Sequence, residues 1–420
     1  MVETIKKKRA NQARPYDIIL FGASSFVGQI LADYLANRVP GETQLRWAIA
    51  GRSQKKLRLL QQSLGPAAAQ LPVIVADAGS PESLRQMCQQ ARVVVSTVGP
   101  YALYGEPLIE ACVENGTDYC DLTGEVQWIR RMIQSYEGRA KETGARIVHC
   151  CGFDSIPSDI GVWWLQTEAL KRFAQPCQRV KMRVRAAKGE FSGGTVASMM
   201  NVAREAAANP ALRKELANPY SLCVGAEQNP TRQPNVSSAT FDADYGAWTA
   251  PFIMSGINTR IVQRSNFLSR AYGDAFRYDE AMLTGKGAKG WGMAQAITTA
   301  LAGFLVAAAL KPSRWLLERY VVPAPGEGPS PDAQKQGFYD LRMLGTTANG
   351  ESLRIKIKGD QDPGYGSTAK MLGQAALCMA FDIGDELAGG FWTPSTAMGP
   401  HLFQRLNEFA GVTFEVDEAL

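Results

Sequence analysis

Within its first 150 residues the chain alternates short apolar runs with helical patterns, and few folds tolerate that order. The runs are IILF (18–21), LRWAIA (45–50), LPVIVA (71–76), RVVVST (92–97) and ARIVHCC (145–151). Helical periodicity fills the gaps at 26–37, 54–64, 81–90, 105–115 and 126–143. Continuous apolar strands separated by helices mean βαβ units, hence a parallel sheet covered on both faces. Ser80 and Pro81 mark one helix start: a capping hydroxyl, then a residue with no N–H to satisfy.

The remainder reads differently. In QRVKMRVRAAK, Arg179, Lys181, Arg183 and Arg185 alternate with Val180, Met182 and Val184. In LRIKIKG, Arg354, Lys356 and Lys358 alternate with Leu353, Ile355 and Ile357. Period-two alternation gives strands buried on one face, as in a mainly antiparallel sheet covered on one side. A chain of 420 residues has room for such a second, α+β lobe. Residues 291–310 carry no charge, while Lys286, Lys289, Lys311 and Arg314 flank them. The stretch is long enough to cross a bilayer, but its many alanines, glycines and threonines suit a buried helix or the wall of an acyl tunnel better. Contact with a membrane or lipid surface is the second reading.

The chemistry starts where the first strand ends, at FGASSFVG. Gly22 gives a tight turn, Gly28 lets the helix lie close to the sheet, and the N–H groups of the first helical turn are left to bind a pyrophosphate. The loop residues expected at a dinucleotide are Gly22, Ala23, Ser24, Ser25, Phe26 and Val27. Ser25 stands where such loops usually carry another glycine. Its hydroxyl can cap the helix or donate to phosphate, but its Cβ narrows the approach. The second strand ends in AGRS, where an NAD enzyme would place a carboxylate for the ribose hydroxyls. Arg52 and Ser53 suit a 2′-phosphate instead, so NADP(H) is the expected cofactor, although a basic helix start on the surface would leave the same trace. Asp77 closes the third strand, at the adenine edge or in a plain turn. Thr97, Val98, Gly99 and Pro100 are small residues that let the backbone after the fourth strand lie against the nicotinamide. The whole is a Rossmann-type parallel sheet with a second α+β lobe.

Taken in order, GASSFVG, AGRS, VSTVGPYALYGEPLIEAC, GTDYCDLTGE and CGFDSIPSD resemble the saccharopine dehydrogenase-like oxidoreductases, most of all the bacterial trans-acting enoyl reductases of lipid and polyketide synthesis. GGFWTPSTAMG (389–399) is similar to the end of that family. The family commonly has glycine where this chain has Ser25. The resemblance implies NADPH, a second lobe over the nicotinamide, and reduction of a C=C bond in a small-molecule or carrier-bound acyl intermediate, for which an acyl carrier protein is a candidate partner if the two basic-faced strands form a docking face. The expected boundaries are a basic flexible tail at 1–14, an NADP-binding domain at 15–155, a substrate lobe at 156–365 and a segment at 366–420 that returns to the first domain.

Enoyl reduction needs a hydride at one carbon, a proton at its neighbour and a donor for the carbonyl oxygen. Ligands bind beyond the carboxyl ends of parallel strands, which brings in Tyr104, Tyr119, Asp121, Glu125, His149 and Ser155, with Tyr101 and Asp154 as the leading catalytic candidates. Packing, capping and turn formation are the plain alternatives for each. Two other activities fit parts of the pattern. A saccharopine-type C–N oxidoreductase would need several arginines around an amino acid imine, and a non-catalytic, lipid-associated NADP-binding protein would need no proton donor. If the two basic-faced strands share a sheet, their cations could dock an acidic carrier; a face paired with acidic neighbours is the alternative. Only His149 and His401 are present and no CxxC occurs, so no metal site is expected. The basic residues are too scattered for nucleic acid. The cysteine pattern suits reduced thiols in the cytoplasm, with membrane association through 291–310 as the variant.

Overall fold

The computed structural model describes residues 14–37, 45–189, 193–225, 231–310, 312, 313, 315, 317 and 328–417. Of the expected tail at 1–14 only Arg14 lies inside the described residues, and Lys311 and Arg314 lie outside them. The first lobe carries β1 (Tyr16–Phe21), α1 (Phe26–Asn37), β2 (Trp47–Gly51), α2 (Gln54–Ser63), β3 (Val73–Val75), α3 (Pro81–Cys88) and β4 (Ala91–Ser96). It continues with α4 (Tyr101–Tyr104), α5 (Glu106–Glu114), β5 (Asp118–Asp121), α6 (Val126–Thr143) and β6 (Arg146–Val148).

One of these strands is invisible to hydrophobic pattern. β5 reads DYCD, with an acid at each end and no apolar run. It can lie inside the sheet because both acids are answered. Asp118 accepts the Arg146 N–H and guanidinium at 2.9 Å each. Asp121 accepts the Tyr119 hydroxyl at 2.9 Å and lies 2.7 Å from His149 Nδ1. Buried charge is tolerated when paired and hydrogen-bonded in this way.

α7 (Ile156–Phe173) leads into the second lobe, which holds β7 (Cys177–Lys188), α8 (Gly193–Ala208), α9 (Pro210–Ala217), β8 (Thr240–Asp242), β9 (Ala247–Pro251) and α10 (Ser255–Ser269). β10 (Arg277–Gly285), α11 (Gly287–Ala309), α12 (Pro331–Lys335), β11 (Phe338–Thr347) and β12 (Ser352–Gly359) follow. The chain ends with α13 (Gly366–Phe381), β13 (Gly390–Trp392), α14 (Pro394–Phe409) and β14 (Val412–Val416).

Two seven-stranded sheets result. The first runs β13-β6-β5-β4-β1-β2-β3 and is parallel throughout. The second runs β14-β12-β11-β7-β10-β9-β8 and is antiparallel except where β7 meets β10. The segment after residue 366 therefore serves both sheets, β13 joining the first and β14 the second. α13 is buried from Gly366 to Ala380, and its polar stripe of Ser367, Lys370 and Gln374 is met by Tyr339, Asp360 and Tyr34. Gly373 is where it crosses α1: a Cβ there would stand 3.0 Å from Leu31 and Tyr34.

The two basic-faced strands do share a sheet, one on each side of β11. Their apolar face packs on α7, where Gly161 leaves space for Ile357 and Met343. Their other face is not a free positive surface. Arg183 is buried between Asp242 (2.7 Å) and Asp279 (2.9 Å), Lys181 reaches Asp242 (3.1 Å), and Arg342 and Lys356 share Asp417 at 3.0 and 2.6 Å. Sequence alternation exposes a face but says nothing of what lies across from it.

The uncharged stretch forms most of α11. Among the described residues it is the one helix long and apolar enough to cross a membrane, yet only 11% of its most apolar window is buried. It is thus not the buried helix its composition suggests. One stripe faces a large cavity, and elsewhere Trp291 and Val306 stand 49% and 60% exposed.

Candidate active site

That cavity, of about 2120 Å³, opens along the carboxyl ends of β1, β2, β3 and β4 and extends between α8, α10 and α11. At its floor the chain leaves β1 through Gly22, held at φ +86°, where a Cβ would stand 2.7 Å from Val98 and 2.8 Å from Thr97. Gly28 lies so close to this turn that a Cβ would come within 2.3 Å of the Gly22 carbonyl oxygen. The two glycines therefore press the helix start against the strand end, leaving first-turn N–H groups for an anion. Ser25 is occupied locally. Its Oγ accepts the Gly28 N–H at 3.0 Å and sits 2.9 Å from Thr97 Oγ1, which donates to the Gly22 carbonyl at 2.9 Å. The hydroxyl caps α1 and ties the loop to the fourth-strand turn, which accounts for a serine here without a phosphate contact.

Of the expected loop residues, Gly22, Ser24, Ser25, Phe26 and Val27 line the cavity. Ala23 does not: it is wholly buried behind the loop, its N–H on the Ala50 carbonyl at 3.2 Å. Arg52, Ser53 and Asp77 also reach the wall. Ser53 caps α2 by accepting the Lys56 N–H at 3.4 Å, and the helical turn it starts brings Lys56, not Lys55, to the cavity beside Arg52. Asp77 is partly committed to its own turn, accepting the Gly79 N–H at 2.9 Å. Two cations and no opposing carboxylate at the end of β2 fit a 2′-phosphate, and the glycine cradle fits a pyrophosphate.

Thr97, Val98, Gly99 and Pro100 form the next part of the wall, followed by Tyr101. The Tyr101 hydroxyl donates to the Ser96 carbonyl at 3.0 Å, and its ring lies against Trp128. Burial holds this phenol well above its ordinary range, and the Leu122 N–H hydrogen-bonds its oxygen. With its proton already committed to the backbone, Tyr101 is a packed wall residue, not a donor aimed at substrate. Tyr119, Asp121, His149 and Ser155 are buried away from the cavity. Glu125 is the group that sequence left among many and geometry singles out. It accepts the N–H groups of Tyr101 (2.7 Å) and Ala102 (3.0 Å), and the hydroxyl of Ser198 in α8 at 2.8 Å. It thereby fixes the fourth-strand turn and fastens the second lobe to it; burial raises its carboxyl above the usual range.

Asp154 reaches the same space from the loop after β6, near Gly124, Met254 and Ile257. Burial, with repulsion from Asp121 second, pushes its carboxyl up to about 7. A carboxyl raised this far keeps its proton closer to neutral pH than an ordinary one, which suits a group that must give one away. Among the described residues the cavity's cations are Arg52, Lys56 and Arg213, and the Arg213 guanidinium is engaged with the carbonyls of Ala206 (2.9 Å) and Ala207 (3.2 Å). No arginine cluster faces Asp154.

The NADP binding domain of the saccharopine dehydrogenase family matches residues 18–148. A Mycobacterium tuberculosis chain described as a candidate trans-acting enoyl reductase is 42% identical over 418 residues, covering 96% of this chain and 97% of its own. A Mycobacterium bovis chain described as a trans-acting enoyl reductase is 40% identical over 408 residues, covering 94% of this chain and 96% of its own. Among solved structures, apo saccharopine dehydrogenase (L-Glu forming) from Saccharomyces cerevisiae aligns over 95% of this chain and 99% of its own with a TM-score of 0.54 at 11% identity, a likeness of fold.

Proposed function

This chain belongs to the saccharopine dehydrogenase-like family, alongside the trans-acting enoyl reductases, and from that premise we propose that it uses NADPH to saturate a C=C bond conjugated to the carbonyl of an acyl intermediate presented by another protein. It is an NADP(H)-dependent oxidoreductase. The observation that carries the reaction is the placement of Asp154, a carboxyl pushed up to about 7, in one cavity with the phosphate loop and the STVGP turn.

In this reading residues 15–155 hold the cofactor, 156–365 form the substrate lobe and 366–420 tie the two together. Gly22, Ser24, Phe26 and Val27 face the pyrophosphate, and Arg52, with Lys56 beside it, takes the 2′-phosphate. Thr97 to Pro100 flank the nicotinamide. NADPH supplies the hydride when bound. Asp154 delivers the proton to the neighbouring carbon, and the N-terminal turn of α10, on the same wall, favours negative charge on the carbonyl oxygen. Glu125 positions the turn and touches no substrate.

A carbon–nitrogen reaction on an amino acid imine is the weaker reading, because among the described residues a polycarboxylate would face only Arg52, Lys56 and Arg213, none of them grouped at Asp154. The test is NADPH oxidation with enoyl pantetheine thioesters and, separately, with imines of amino acids. Turnover of the thioesters alone is expected; turnover of imines alone would refute the assignment, and tight NADPH binding without turnover of either would favour a non-catalytic role.

The acyl group is expected on an acyl carrier protein, docked away from the ion-paired face of the second sheet. The exposed apolar side chains Trp291, Met293 and Val306 of α11, with Leu310 just after it and Lys286 and Lys289 at its start, are offered as a lipid contact. Flotation with vesicles of phosphatidylglycerol and phosphatidylcholine should carry the protein upward and fail for Val306→Asp. No flotation of the wild type would remove that contact from the reading.

A further inference from the structure

α8 and α11 pack side by side, and each turns a single stripe toward the cavity. On α11 the stripe is Thr298, Leu301, Ala302, Leu305 and Ala309, spaced as one helical face. On α8 it continues from Ser198 through Val202 and Ala203 to Ala206, with no charged member. Its near end is fixed, because Ser198 donates to Glu125, the residue that holds the fourth-strand turn. From Ser198 to Ala206 the helix advances about 12 Å, and from Thr298 to Ala309 about 16 Å. A dinucleotide lying along the strand ends does not need this arm of the cavity, and apart from the Ser198 and Thr298 hydroxyls, which donate to Glu125 and to the Ala294 carbonyl, the stripes are apolar.

We propose that this groove between α8 and α11 receives the acyl chain of the substrate, and that the alanines Ala203, Ala206 and Ala302 set the length it accepts. The proposal rests on the enoyl reductase reading for the position of the reacting bond near Asp154. Small side chains on both walls leave a slot, and a bulky ring at Ala206 or Ala302 would fill it from either side. Each methylene that enters such a groove is worth about a fourfold gain in affinity, so a groove of this length discriminates strongly between long and short chains.

The test compares the wild type with Ala206→Phe and Ala302→Phe on opposite walls. NADPH-dependent reduction of a crotonyl and a 2-hexadecenoyl pantetheine thioester gives the ratio of long-chain to short-chain kcat/KM. Binding of the fluorescent fatty acid cis-parinaric acid is measured without turnover, and NADPH affinity reports an intact fold. The wild type should favour the long chain at least about a hundredfold, the gain of three to four buried methylenes at about fourfold each. Each variant should lower that ratio at least about tenfold and weaken parinaric acid binding, with NADPH affinity retained. Reduction of both thioesters with a ratio that neither variant changes would overturn the groove and leave the reaction standing. Parinaric acid binding that both variants weaken, in a protein that reduces neither thioester, would support the groove and overturn the reaction.

Discussion

Replacing Asp154 with Asn should lower kcat for an enoyl thioester by about a hundred- to ten-thousandfold while leaving NADPH affinity unchanged, the loss expected when a positioned proton donor is removed. The pH behaviour makes this more than a loss-of-function test. Burial lifts the Asp154 carboxyl to about 7, so in the wild type the donor is protonated below that pH and ionised above it. The rate should fall as pH rises through about 7. Stability follows the same proton: a carboxyl whose pKa is raised by folding contributes fully below its unfolded value near 4 and loses that contribution as pH climbs to 7. Asn cannot ionise, so the variant should be the more stable protein at pH 8, by on the order of 2 kcal/mol, with the difference shrinking toward pH 5. Glu280 and Asp159, also pushed up to about 7 and about 6, are present in both proteins and cancel in the comparison. Thermal melts at the two pH values, beside initial rates, decide the matter. A variant that keeps its rate, or melts earlier at pH 8, excludes Asp154 as the donor.

Arg52→Glu should raise the dissociation constant for NADPH at least about a hundredfold and change that for NADH far less. The substitution removes a charge-assisted contact to the 2′-phosphate and puts a like charge in its place. Lys56 remains on the same wall, so binding of NADPH by the variant should become more sensitive to salt, not vanish. Titration of both nucleotides by fluorescence measures the two constants directly. Parallel loss of both would mean that Arg52 supports the loop and does not read the phosphate.

The sequence made the cofactor end legible for a physical reason: turn glycines, a strand-end cation and apolar strands are local features, and each needs only its neighbours to act. What it hid were pairings between distant segments. DYCD could not be recognised as a strand, since Arg146 and His149, which pair with its acids, come from the next strand and the loop after it. Tyr101 looked like a donor until the Ser96 carbonyl was found to take its proton. For the lysines and arginines of β7 and β12 the sequence left open a docking face or a face paired with acids, and Asp242, Asp279 and Asp417 lie across from them. Composition marked residues 291–310 as an uncharged stretch, but only the position of α8 beside α11 shows which stripe faces the cavity.

The chain after residue 366 gives β13 to one sheet and β14 to the other. No single cut in the coding sequence can therefore separate the cofactor half from the substrate half. A chimera that swaps substrate lobes between relatives must exchange β14 together with residues 156–365 while keeping α13 and β13 with their own first sheet. Joined through β13 and β14, the two halves come apart only when both pieces of the second are exchanged at once.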